Sequence, residues 1–332
     1  MKSKLTAHFS ATTKLLMASI IVFGFAFARP SLALDEVNLH ISAGVSGNAL
    51  LYKFTKEKGF YREEGLDVRP IQAGMLPGIQ GLVGGSFDFS QILGQGAGAI
   101  LRGVPLKIVM VFDTQPLNWL YARKEIRSVQ DLKGGKQIAV SSFGAALDQM
   151  TRDLLPKRGI DPQKDVVLRA VEPTPSRLAA LLSGAVDAAV VNQMDRIIAK
   201  KHGFNELLFY GDDLEFVTAG AVTTEKTLIQ RPDLVRKFLR GTLKGFHWLR
   251  NNEKEVVARM LPIMRIPENE ATDVYRAWVS FMSTEGTIPP SLHEKIIACQ
   301  RKSLKGEREV TPEQVYDLSI VRSLNEEMRK GK

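Results

Sequence analysis

Apolar and polar residues alternate at the head of the chain's first regular segment. Val37, Leu39 and Ile41 are separated by Asn38 and His40, and this period of two predicts a half-buried strand. Gly44, Ser46 and Gly47 break the pattern, and helical spacing takes over through Leu50, Leu51, Phe54 and Phe60. Further strands are predicted at 66–71, 87–92 and 106–112, the last almost wholly apolar, with helical spacing at 78–83 and 97–101. Strand and helix in strict alternation predict an α/β sheet covered on both faces.

The rhythm restarts after Trp119. A capped turn at 129–132 ends at Gly134 and Gly135, and a strand is predicted at 137–140. Helices at 145–158 and 176–182 then alternate with strands at 166–171 and 188–191. One echo links the halves: Leu82-Val83-Gly84-Gly85-Ser86-Phe87-Asp88 against Leu181-Leu182-Ser183-Gly184-Ala185-Val186-Asp187. In both, a helix ends at glycine and an aspartate opens a strand. Such corners recur in any α/β protein, but here they are read as a pseudo-repeat of two lobes. From about Thr223 the pattern is helix after helix. Val235, Leu239, Thr242, Phe246 and Leu249 form one face of 232–251, and helices at 253–263, 268–281, 291–302 and 312–328 follow, broken by Pro262, Pro267 and Pro289-Pro290. These are expected to be packing elements that clasp the lobes.

The first 33 residues differ from the rest. Lys2, Lys4 and Lys14 precede an apolar run from Leu15 to Ala28, too short to span a bilayer comfortably, and the small residues Ser31 and Ala33 follow. That is the pattern of a secretory signal peptide, with cleavage expected after Ala33 and Ala28 as the second choice. No cysteine follows the run, so lipid anchoring is not expected. The 332 residues suit two lobes of ordinary size. Removing 1–33 takes away Lys2, Lys4, Lys14 and Arg29 and lowers the formal charge from +9 to +5, a mild bias towards anionic solutes. The basic residues form no dense aromatic-interleaved run, so no nucleic-acid partner is expected. Cys299 is the sole cysteine and the five histidines are scattered, so neither a disulfide nor a metal site is expected.

Gly94-Gln95-Gly96-Ala97-Gly98-Ala99, with Asp113 beyond, imitates a dinucleotide fingerprint. It follows the third strand rather than the first, and glycine at helix entry also serves packing, so no cofactor is expected. Ser141, Ser142, Phe143 and Gly144 precede a helix and offer free N–H groups beside hydroxyls, as an anion site or as plain capping. The matching corners of the first half hold Ser46, Gly47 and Asn48, and Gly74 and Met75. Ligands of open α/β sheets sit outside the carboxyl ends of strands, so these corners are expected to share one crevice. Gln91, Asp113, Thr174, Asn192 and Gln193 also follow strands, and Trp119 and Phe143 are candidates for an apolar wall. No Gly-x-Ser-x-Gly elbow is present, and no histidine lies near a nucleophile in sequence, so binding without turnover is expected.

Four segments carry a family resemblance. They are Glu57-Lys58-Gly59-Phe60-Tyr61-Arg62-Glu63-Glu64-Gly65-Leu66-Asp67-Val68; Gly84-Gly85-Ser86-Phe87-Asp88-Phe89 with Arg102-Gly103-Val104-Pro105-Leu106-Lys107; 129–140; and Leu181-Leu182-Ser183-Gly184-Ala185-Val186-Asp187-Ala188. In these the chain resembles the nitrate/sulfonate/taurine-type periplasmic binding proteins, the group that also holds the thiamine-precursor binders. The resemblance implies a two-lobed type II periplasmic binding protein fold, each lobe a mixed sheet flanked by helices. Two crossovers are expected near 117–123 and 212–220. A first lobe at 34–119 is then completed by 216–332, with the second at 120–215. It further implies a monomeric periplasmic component of an ABC transporter that closes on a small, anionic solute and docks on a membrane permease. A sulfonate, nitrate, carboxylate or pyrimidine-like molecule fits that description. An enzyme on the same scaffold, of pyrimidine-synthase or chorismate-dehydratase kind, and a periplasmic sensor subunit are the alternatives.

Overall fold

Strand β1, Asp35–Ser42, buries Val37 and Leu39 as its alternation predicts. Gly65 then turns the chain into β2, Leu66–Ala73, which lies parallel to it. The computed structural model describes residues 33–42, 47–214, 217, 219–294, 297 and 310–331. Strands β3, Phe89–Ile92, and β4, Leu106–Val111, complete the first half's own contribution to one sheet. Strands β5, Asn118–Ala122, β6, Lys136–Val140, β7, Val166–Ala170, β8, Ala188–Asn192, and β9, Asn205–Phe209, form a second sheet. β10, Ala219–Thr224, returns to the first.

The strand orders are β2-β1-β3-β10-β4 and β7-β6-β8-β5-β9. Place by place they are the same sheet: the second strand outermost, the first beside it, then the third, and the fourth at the far edge. In each, the place before the far edge is held by an antiparallel strand that arrives from the other half. Both sheets are therefore mixed, and each half lends the other one strand. The pseudo-repeat is borne out in topology.

Helices alternate with the strands: α1, Gly47–Glu57; α2, Phe60–Glu63; α3, Met75–Val83; α4, Leu93–Leu101; α5, Ala146–Lys157; α6, Thr174–Ser183; and α7, Gln193–Lys201. Gly96 lies within α4, where an added Cβ would come within 3.2 Å of Val222 on β10. Gly96 of the dinucleotide look-alike thus serves helix–sheet packing. The short α8, Glu225–Gln230, is followed by α9, Pro232–Asn251, which opens on proline at its first turn. Its face of Val235, Phe238, Leu239, Phe246 and Leu249 is wholly buried. Phe238 stacks on Phe89 at 3.8 Å and on Tyr61 at 5.5 Å. Each such side chain contributes about 1.5–3 kcal/mol by leaving water. Helices α10, Glu253–Met264, and α11, Glu268–Phe281, extend the same apolar cluster.

Three differences from the sequence reading matter. The first crossover occupies only 112–117, because 118–122 is strand β5, interior to the second sheet with Leu120 and Ala122 fully buried. Helix α7 and strands β9 and β10 had no distinct periodic signature. The stretch 312–328 divides into α12, Pro312–Val315, and α13, Ser319–Lys330, because Tyr316 between them bridges Ile108 on β4. Cys299, Ser46 and most of the segments 1–33 and 291–302 lie outside the described residues. Among the described residues no helix is long and apolar enough to cross a membrane.

Candidate functional site

The crossovers define which edges of the sheets meet. β4 ends at Val111 and β5 begins at Asn118; β9 ends at Phe209 and β10 begins at Ala219. Each crossover leaves the carboxyl edge of one sheet and enters the same edge of the other, because β5 and β10 run antiparallel to their neighbours. At about 3.3–3.6 Å per residue, 112–117 reaches little more than 20 Å. The carboxyl edges of β1, β2, β3, β6, β7 and β8 are thereby tied to one shared region.

At the Ser141 corner several of the helix-start donors have partners inside the chain. Ser142 N–H donates to Glu172 Oε1 at 3.2 Å, and Gly144 N–H donates to Asp148 Oδ2 at 2.9 Å. Ser141 is buried, and its Oγ accepts from Asp148 N–H at 3.3 Å. Asp148 is in turn paired with Arg152 at 2.9 Å. The corner does hold anions, but they are the protein's own carboxylates. Capping, one of the two readings of this corner, accounts for the Ser142 and Gly144 N–H groups. Phe143 projects from the corner, 61% exposed, with the Arg152 guanidinium 5.9 Å from its ring.

The centre of the second sheet's carboxyl edge is filled by Arg177. β6 and β8 pair only through Ile138–Ala188 and Ala139–Ala189 and then diverge. Arg177, on α6 and 2% exposed, places its guanidinium where they part, donating to Val190 O at 2.9 Å and Val171 O at 3.3 Å and pairing with Glu172 at 3.5 Å. The matching fourth residue of α3 is Gly78, which backs directly onto the His40 ring. There His40 Nε2 donates to Ala73 O at 3.1 Å, so its Nδ1 accepts from Ser90 Oγ at 2.7 Å. Both are fully buried, and burial lowers the histidine's pKa. This Ser–His contact is a packing device that no solute can reach.

Polar atoms without partners stand near the carboxyl edges of both sheets. Gln91 Oε1 near the end of β3, both Gln193 Oε1 and Nε2 at the start of α7, and Asp195 Oδ2 in its first turn are sealed from solvent and unbonded. Gln91 and Gln193 are each only 6% exposed. Asp195 faces Arg177 electrostatically without hydrogen bonding to it, and burial pushes its carboxyl up to about 6 against that pull. Buried polar groups are nearly always satisfied, so these atoms mark places where water or a ligand supplies the bonds.

The other sequence candidates take assorted places. Asn192 caps α7, its Oδ1 accepting from Met194 and Asp195 N–H at 2.8 and 2.9 Å. Asp113 Oδ1 accepts from Ala219 N–H at 3.2 Å, joining the first crossover to the second. Trp119 offers no free wall: Phe209 stacks on the ring at 4.8 Å and the Arg196 guanidinium lies 4.7 Å from it. Gly47 is buried and Asn48 half-buried at the start of α1; Gly74 caps α3, and Met75 and Thr174 open their helices. Reading the sequence missed Glu172, Arg177, Asp195 and Trp278. Of these only Glu172, directly after a predicted strand, carried a local cue. Trp278 covers Gly47, where a Cβ would lie 2.6 Å from the indole. Two shallow depressions elsewhere, one beside Arg250 and Arg276 and one beside Pro156 and Pro162, contain no unsatisfied polar atom among the described residues. Nor do the described residues contain a cluster able to hold a metal ion.

Comparison with known proteins agrees with this geometry. No curated protein matches the chain. The periplasmic nitrate-binding protein NrtA from Synechocystis PCC 6803 has a similar structure, with a TM-score of 0.74 at 16% identity over 89% of this chain and 89% of that one. The periplasmic sulfonate-binding protein SsuA from Methylobacillus flagellatus KT gives 0.68 at 20% identity, over 90% and 96%. The desulfurization enzyme DSZB gives 0.62 at 13% identity, over 90% and 100%. At these identities the likeness shows a common fold, that of the periplasmic binding proteins. A model of the family described as NMT1/THI5 like matches residues 49–256, well over half of the sequence, and the chain belongs to that family.

Proposed function

We propose that this chain is the solute-binding component of an ABC uptake system, holding a small molecule between the carboxyl edges of its two sheets and presenting it to a membrane permease. The observation that carries the reading is the pair of crossovers joining like edges of two topologically identical sheets, with unsatisfied polar atoms from both halves at those edges. Two lobes follow from it, one built on β1–β4 and β10 with the C-terminal helices, the other on β5–β9. Two short connections at one edge act as a hinge, and a solute drives closure only through contacts made in the closed form. The basic and apolar pattern of 1–33 supports export to the periplasm.

The nitrate- and sulfonate-binding neighbours support a transport role, and the desulfurization enzyme shows that chemistry occurs on such scaffolds. For turnover here the histidine–serine contact of His40 and Ser90 is sealed in the core. Binding is therefore the reading we adopt.

Native mass spectrometry of the mature chain, with small-angle scattering before and after solute removal, tests it. A co-purified small molecule whose removal increases the radius of gyration is the expected result. A chain that carries nothing, and whose dimensions and melting temperature no small solute changes, overturns it.

A further inference from the structure

The chemistry of the solute can be read from what the crevice leaves unbonded. A carboxylate has no donor to offer, and a buried one needs donors from outside itself. Asp195 Oδ2 is in that position: it is sealed from solvent and accepts nothing. Its nearest cation, Arg177, spends its Nε and Nη1 on Val190 O, Val171 O and Glu172. The floor thus holds one guanidinium against two carboxylates, Glu172 and Asp195, which leaves a surplus negative charge.

Charge inside a crevice is expensive unless paired, so the missing partner is a cation and not a second anion. Two of the helix N-termini at these edges are already engaged. At the Ser141 corner the donors that suit an oxyanion are held by Glu172 and Asp148, and at α7 Asn192 Oδ1 occupies the N–H groups of Met194 and Asp195. Among the buried side-chain atoms without a partner at these edges, three are acceptors, Gln91 Oε1 from the first half and Gln193 Oε1 and Asp195 Oδ2 from the second, and one is a donor, Gln193 Nε2. The two amides can turn to suit either kind of partner; the carboxylate cannot.

We infer that the solute is a small organic cation bearing N–H donors, of the ammonium or amidinium kind, which bonds Asp195 with Gln193 on one side and Gln91 on the other. The inference rests on the crevice reading above and narrows its solute class. A planar amidinium matches the geometry of a carboxylate, since two parallel N–H groups meet two oxygens. The Gln91 and Gln193 oxygens then take the remaining donors. Because Gln91 and Gln193 belong to different halves, one solute in contact with both draws the halves together.

Thermal-shift and calorimetric titration of the solute-stripped chain, at matched ionic strength, separates the classes. The probes are methylammonium, acetamidinium and aminopyridinium against nitrate, methanesulfonate and acetate. The expected result is stabilisation by one or more of the cations and by none of the oxyanions. Asp195→Asn is expected to weaken the cation at least tenfold. Gln193→Glu, which adds an acceptor and a charge at the same place, is expected to tighten it; this second variant keeps the test decisive if the first folds poorly. Stabilisation by an oxyanion alone, undiminished or increased in Asp195→Asn, overturns the cation assignment and leaves the crevice reading standing. Stabilisation by neither class, with no co-purified solute, removes the crevice reading and the assignment with it.

Discussion

Asp187 and Gln137 hold each other by a reciprocal pair of hydrogen bonds. Gln137 N–H donates to Asp187 Oδ2 at 2.8 Å, and Asp187 N–H donates to Gln137 O at 2.9 Å. In the other sheet Asn38 N–H donates to Asp88 Oδ2 at 2.8 Å, and Asp88 N–H to Asn38 O at 2.9 Å. Each aspartate also forms an ion pair with an arginine downstream of the exchanged strand, Arg123 after β5 and Arg231 beyond β10. The echo seen in the sequence is thus a repeated fastening. It locks the start of the third strand to the first, at the end opposite the crevice, and leaves the carboxyl ends free to diverge around Arg177 and His40.

Removing that fastening should be costly. Asp187→Ala is expected to lower the free energy of unfolding by about 1.5–3 kcal/mol, the range for hydrogen bonds to a charged group, with Asp187→Asn milder because it keeps an acceptor. Burial raises the Asp187 pKa, but the Gln137 N–H and Arg123 outweigh it and hold the carboxyl below its usual range. Its contribution is therefore present above about pH 4 and disappears as pH falls through the lower native value. Urea unfolding of both variants at pH 7 and pH 3 checks this: the difference from wild type shrinks at the lower pH.

Two histidines and one aspartate set opposing pH trends. Burial lowers the pKa of His40, and burial with Arg322 lowers that of His293, so the folded state binds fewer protons there than the unfolded chain. Their stabilising effect is complete above about pH 6.5 and is lost as pH falls below it. Asp195 acts the other way. Its folded value of about 6 lies above the ordinary aspartate value of 3.8, so stability is lost as pH rises between them. Asp195→Asn removes only the second trend. Its urea midpoint is expected to fall more steeply than that of wild type between pH 7 and pH 5; equal slopes contradict the assignment.

Much of the fold was legible because it is written locally. The period-two run at Val37 to Ile41, the helical face of Val235 to Leu249 and the glycine-ended helices at Gly85 and Gly184 need no distant partner to be read. β5 and β10 were not legible. Each is a short apolar run whose strand character depends on the two neighbours that flank it after the chain crosses over. The site divides the same way. Gln91 and Gln193 were found by the strand-end rule, which is topological. Asp195 and Arg177 matter only because β6 and β8 diverge, and the Ser142 N–H is taken by Glu172, thirty residues further along.

Trp278 and Gly47 give a prediction that links the C-terminal helices to the crevice. A Cβ on Gly47 would lie 2.6 Å from the indole, and Trp278 is too buried to move aside freely. Gly47→Ala is expected to cost about 1–3 kcal/mol through overpacking, and to shift the tryptophan emission of the native state. Trp278→Phe in the same chain should recover part of that loss. A Gly47→Ala chain with unchanged unfolding midpoint and emission contradicts the close approach.

Arg177 is the strongest single test of the second sheet's crevice floor. Its guanidinium satisfies the carbonyls of Val190 and Val171 where the strands part, and it partners Glu172. Truncation to alanine leaves a cavity, two unsatisfied carbonyls and uncompensated carboxylates together. Breaking a buried ion pair from one side typically costs about 3–5 kcal/mol, and Arg177→Ala is expected within that range by urea unfolding. Arg177→Met fills the volume but supplies no donor, so it should recover the packing share and retain a deficit of about 1–3 kcal/mol for the carbonyls. Combining Arg177→Met with Asp195→Asn removes the surplus charge as well, and the double variant is expected to be more stable than Arg177→Met alone. Additive or worse behaviour means that Asp195 does not feel Arg177, and that the surplus charge lies elsewhere.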